Sequence, residues 1–164
     1  MEKIFKNVIL LYIIHNDSIL MRKFIHQDYD VIDVFGFKEG DDVATDIENK
    51  LTSLFGRSFP YSFYGNIESI INKKGVTAHL SVKTYKILLD KHYDILDSYT
   101  DDVISSGKDI FWLNRDEIKN EKRLREGSKK ILERIFDNRN IDIKIVENQG
   151  EKWIDAKTIL FENR

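Results

Sequence analysis

The chain has 164 residues, 41% of them hydrophobic and 12% aromatic, enough to bury a core within a single domain spanning 1–164. Lys and Arg number 26 against 28 for Asp and Glu, so a net charge of −2 supplies no general attraction to nucleic acid or anionic lipid, and neither is expected as a partner. Zero cysteines exclude a disulfide framework, a thiolate metal site and a cysteine nucleophile, with the cytoplasm as the default location.

The first apolar run, Val8 to Ile14, is too short to span a bilayer and reads as a buried strand. Turn formers His15 to Ser18 follow, and Ile19 to Phe24 completes a β-hairpin. A third β-prone run, "YDVIDVF", ends at Phe35, and "GFKEGDD" after it has the glycines and aspartates of a loop. From Asp42 the period changes: Ala44, Ile47, Leu51, Leu54 and Phe55 recur at spacings of three and four and share one helical face. Gly56 is placed to end that helix, and Asp41, Asp42 and Asp46 suit its N-terminal dipole.

Tyr61 to Ile71, the turn "NKKG" and Val76 to Leu89 form a second hairpin, with Val76, Ala78, Leu80 and Val82 alternating with polar residues. Lys91 to Asp109 is irregular and acidic. Ile110 to Leu113 is a short strand containing Trp112, and "NRDEIKN" opens like a capped helical turn. A longer helix is expected from about Lys122 to Phe136, carrying Leu124, Ile131, Leu132, Ile135 and Phe136 on its apolar side. The tail from Ile141 to Phe161 alternates as a terminal hairpin with "NQGE" at its tip, so a helix and hairpin extend the domain from about residue 119. Strands around an early helix, then more strands and a late helix, define an α+β class with a mixed sheet between helices.

This order of elements, with "DIFWLNRDEI" leading into an acidic helical turn, resembles the Nudix (MutT-like) family over roughly residues 8 to 136. The resemblance implies an α/β/α sandwich with a mixed central sheet. It also implies a signature helix whose glutamates hold Mg²⁺ or Mn²⁺ against a substrate diphosphate. Setting the signature's terminal glycine on Gly56 puts its aliphatic position on Leu51 and its first glutamate on Asp41. The same register puts the arginine on Asn49, the next glutamate on Lys50 and the glutamate pair on Ser53 and Leu54, with Arg57 after the glycine. Gly36 lies one residue from the first glycine position. The signature is thus degenerate, and every helix carboxylate it requires is replaced.

Mg²⁺ is a hard cation that takes several oxygen ligands, and a lysine in the middle of its site repels it. Asp41 and Glu39 remain as catalytic or metal candidates, joined in a rebuilt site by distant carboxylates such as Asp101, Asp102 or Glu117. Arg22, Lys23, Lys38 and Lys50 are the candidate ligand-binding cations. Lys50 either pairs with Asp46 across one helical turn or takes the place of the metal's charge and holds a phosphate. His15, His26, His79 and His92 show no metal-ligand spacing, and the basic segment from Lys119 to Arg139 reads as a solvated face.

Three functions remain open on these residues. The first is a domain without the standard metal-dependent diphosphatase chemistry that binds a nucleotide, a nucleoside diphosphate derivative or a protein partner in a regulatory role. The second is a divergent pyrophosphohydrolase, and the third is a pure protein-interaction module.

Overall fold

The computed structural model describes residues 2–26, 28–89, 109–150, 154 and 156–162. In chain order the strands are β1 (Glu2–His15), β2 (Ser18–His26), β3 (Tyr29–Asp33), β4 (Phe35–Lys38), β5 (Ser62–Lys73), β6 (Val76–Leu88), β7 (Ile110–Asn114), β8 (Ile143–Gln149) and β9 (Ala156–Glu162). The helices are α1 (Val43–Phe55), α2 (Arg115–Asn120) and α3 (Glu126–Phe136).

Among the described residues the strands join in one mixed sheet of order β3-β2-β1-β6-β5-β8-β9, with β4 added to β1 and β7 to β2. β1 runs parallel to β6 from Glu2 to Ile14, while its other edge is shared by β4 at Val8 to Leu11 and β2 at Ile14 and His15. Alternation along β1 gives the sheet its two covered faces. Ile9, Leu11 and Ile13 pack with Ile47, Leu51, Leu54 and Phe55 of α1, whereas Tyr12 packs on the opposite side with Ile131, Leu132 and Ile135 of α3. The result is the expected sandwich of a mixed sheet between helices, built from an α+β order of elements.

α1 keeps the register that its apolar face demands. Asp42 caps it by accepting from the Thr45 N–H at 3.1 Å, and Gly56 closes it in the left-handed conformation at φ 77°, where a side chain would be strained. Ala44 departs from expectation and is exposed, while Val43 beside it packs against the α1-side core. α2 is the predicted capped turn: the Asn114 side chain accepts from the Glu117 N–H, and Glu117 reaches back to the Asn114 N–H.

The chain also does not leave its strand at Phe35. Residues 35–38 of the expected loop form β4, pairing Gly36 with Leu10 and Lys38 with Val8. A side chain at Gly36 would meet the Leu10 side chain at 2.6 Å, so this glycine permits close strand packing. The late helix starts at Glu126 rather than Lys122, because the Arg123 carbonyl accepts from the Ile32 N–H at 3.0 Å and ties the preceding turn to β3. Leu124 is buried from that turn. In the terminal hairpin Asn148 and Gln149, expected at its tip, pair instead with Lys157 and Ala156 as part of the two strands. The segment Lys91 to Lys108 lies outside the described residues.

Candidate functional site

The outer face of α1 and strand β4 enclose an open basin lined by Phe37, Lys38, Asp46, Asn49, Lys50 and Ser53. Of these, Asn49, Lys50 and Ser53 are the positions where the resemblance would put the signature's arginine and two of its glutamates. The fourth glutamate position, Leu54, turns inward and is only 8% exposed. The basin therefore offers two ammonium groups, one carboxylate and neutral oxygens. That donor set does not fit a hard divalent cation, which requires converging carboxylates.

Lys50 does not pair with Asp46. Its Nζ stands 5.7 Å from the centre of the Phe35 ring, a cation–π arrangement that holds the ammonium beside the basin. Lys38 is exposed at the end of β4. Glu39 points elsewhere: its carboxylate meets Lys83 Nζ at 2.7 Å, and that hydrogen bond holds the Lys83 ammonium above its ordinary pKa. Asp41 is exposed in the loop before α1. Glu117 is committed to the cap of α2, and Asp101 and Asp102 lie outside the described residues. Among the described residues no group of three or more His, Asp or Glu side chains stands close enough to hold a metal ion.

Arg22 and Lys23 are not brought into this basin. The Arg22 guanidinium lies 5.1 Å from the Phe24 ring centre on its own strand, and Lys23 reaches Asp109 at 3.7 Å beside the entry to β7. Of the candidate cations, the structure brings together Lys38 and Lys50 alone at the basin. Trp112 is half-buried on the α1 side, 5.7 Å from the His15 ring, consistent with a core role.

A second site was not legible as a motif. Between the sheet and α3 lies a cavity of about 150 Å³. Its polar end gathers Tyr12 from β1, Asp33 from β3, Arg125 and Ser128 from the start of α3, and Glu147 from β8. Arg125 bridges the two acids, with nitrogens 2.6 Å from Glu147 and 3.5 Å from Asp33, and the Ser128 hydroxyl donates to Asp33 at 3.1 Å. Glu147 is 2% exposed, and the carboxylate fills the space where a side chain at Gly127 would stand. Burial first, then the Asp33 charge, pushes the Tyr12 hydroxyl well above its ordinary pKa.

The sequence carried one signal for this cavity. Ile143, Ile145 and Glu147 alternate onto the same inward face of β8, so a glutamate occupies an apolar position. Arg125 and Arg134 likewise depart from the solvated face expected of the late helix. Their side chains are 16% and 8% exposed, and Arg134 donates to the Asn140 carbonyl at 2.7 Å.

No family model matches the sequence, and no curated protein matches it. Solved structures do match the fold. The Mutator MutT protein from Bacillus halodurans aligns with a TM-score of 0.59 at 11% identity, covering 94% of this chain and 97% of its own. A Nudix hydrolase from Nitrosomonas europaea gives 0.54 at 13% identity, over 82% of this chain and 90% of its own. The E. coli ORF135 protein gives 0.50 at 14% identity with the same coverages. The chain therefore has the Nudix fold. Among the described residues no helix is long and apolar enough to cross a membrane.

Proposed function

We propose that this protein binds a phosphorylated ligand, a nucleotide or nucleoside diphosphate derivative, at the basin between α1 and β4 without the standard metal-dependent cleavage. The supporting observation is the basin's donor set. Lys50 stands where the resemblance would put a metal-binding glutamate, Lys38 lines the same basin from β4, and a fixed ammonium serves the same electrostatic purpose toward a phosphate oxygen as a bound cation.

The test is a purified-protein panel of nucleoside triphosphates, nucleotide sugars, dinucleotides and ADP-ribose, read by chromatography for products and by calorimetry for binding. Binding without products, weakened about 10-fold by Lys50→Ala through loss of one charge-assisted contact, is the expected result. Cleavage dependent on Mg²⁺ or Mn²⁺ and lost in Asp41→Ala would replace this reading with that of a divergent pyrophosphohydrolase. No binding across the panel would leave the fold as a protein-interaction module.

A further inference from the structure

The sheet extends beyond both helical layers at the end formed by the start of β1 and the turn of the β5–β6 hairpin. Strand register places Phe5, His79, Ile70, Val146 and Ile159 in one row across β1, β6, β5, β8 and β9. All of them alternate with residues that face α3, so this row lies on the opposite face, beyond the reach of α1. Ile9, under α1, is fully buried, while Phe5 two turns of the pleat away is 72% exposed and Ile159 is 53% exposed.

Polar rows flank the apolar one. On the outer side run Lys3, Thr77, Asn72, Asn148 and Lys157, tied in the middle by hydrogen bonds from Thr77 to Asn72 at 3.1 Å and from Asn72 to Asn148 at 3.0 Å. On the inner side run Asn7, Ser81, Glu68, Lys144 and Phe161, the last 49% exposed. Three lysines against one glutamate make this face positive although the chain as a whole is negative. Among the described residues none of these lysines forms an ion pair.

Phe5 and His79 form a parallel stack, with centroids 5.1 Å apart and planes inclined by 23°. His79 covers one side of the phenyl ring; the exposure of Phe5 leaves the other side in water, on the edge of the sheet. An open-ended aromatic stack on a lysine-bearing sheet face is a platform for unpaired bases, whose π-faces extend the stack while lysines meet the phosphates. We infer that this face binds single-stranded nucleic acid, at a site separate from the basin beside α1.

Size decides against a second copy of the chain. Five strands spaced about 4.8 Å apart and three rows spaced about 6.8 Å give a patch of roughly 19 by 14 Å. That is well below the ~800 Å² per partner typical of a stable protein interface. It suits a strand of a few nucleotides.

The test is fluorescence anisotropy of a labelled oligouridylate of about 12 nucleotides titrated with the full chain at several salt concentrations. Binding that weakens with salt is expected, with a logarithmic slope of about −2 for three phosphate contacts. Phe5→Ala, at a position too exposed to leave a cavity, weakens it about 5- to 150-fold, the loss of one stacked base. Lys144→Ala makes the slope shallower by about 0.7. Neither variant changes ligand binding at the basin. The inference is overturned by absence of oligonucleotide binding, by binding that Phe5→Ala leaves unchanged, or by a dimer in sedimentation that Phe5→Ala dissociates while no oligonucleotide binds.

Discussion

Replacing Arg125 by Met removes the cation that bridges two acids at the polar end of the α3-side cavity. Glu147, 2% exposed, loses a contact of 2.6 Å, and Asp33 loses one of 3.5 Å while keeping Ser128. A carboxylate held out of water without its partner is far costlier than the intact pair was stabilising. The range for breaking buried pairs begins at about 3 kcal/mol, and the 16% exposure of the Arg125 side chain places this case at that lower end. For a domain of this length the melting temperature then falls by roughly 6–12 °C. Urea unfolding followed by circular dichroism reads the free energy directly, with an unchanged slope showing that the same surface is exposed.

The double variant Arg125→Met, Glu147→Met isolates the mechanism. If the cost lies in an orphaned carboxylate, replacing it with an apolar side chain of similar length restores most of the loss, and the cycle gives a coupling of about 2 kcal/mol. The reasoning is refuted if Arg125→Met unfolds within about 1 kcal/mol of the parent, or if the double variant is no more stable than the single one.

Two other outcomes follow from the same structure. Leu51→Ala opens a cavity where α1 meets the sheet, at a fully buried residue, and costs about 2–5 kcal/mol in urea unfolding; a loss under 1 kcal/mol would mean that α1 is not packed as described. Tyr12 has its pKa raised on folding by burial, so the folded state holds its proton more tightly than the unfolded chain. The stability this contributes is complete below the ordinary tyrosine value of about 10 and is lost as pH rises above it. Tyr12→Phe therefore flattens the alkaline fall in unfolding free energy, whereas an identical fall in both proteins would place the hydroxyl in water.

The structure bears out the main architecture read from periodicity, and the reasons are local. Ile47, Leu51, Leu54 and Phe55 can share a face only on a helix in one register, and that register alone assigns Asn49, Lys50 and Ser53 to the outside. Asp42 and Gly56 mark its ends by chemistry that acts within a turn. The less legible boundaries are those set by distant partners. Residues 35–38 are a strand because β1 supplies an open edge, and Lys122 to Arg125 are not helix because β3 takes the Arg123 carbonyl.

The sites divide in the same way. By itself the sequence determined that Asn49, Lys50 and Ser53 share the outer side of α1, since spacing along one helix is fixed by the helix. Only the tertiary structure decided that Lys50 sits over Phe35 rather than beside Asp46, that Glu39 is occupied by Lys83, and that Tyr12, Asp33, Arg125 and Glu147 meet around one cavity. Those contacts join residues far apart in the chain. Their geometry is set by sheet order and by how α1 and α3 pack across it, for which a linear pattern of residue types carries no distance.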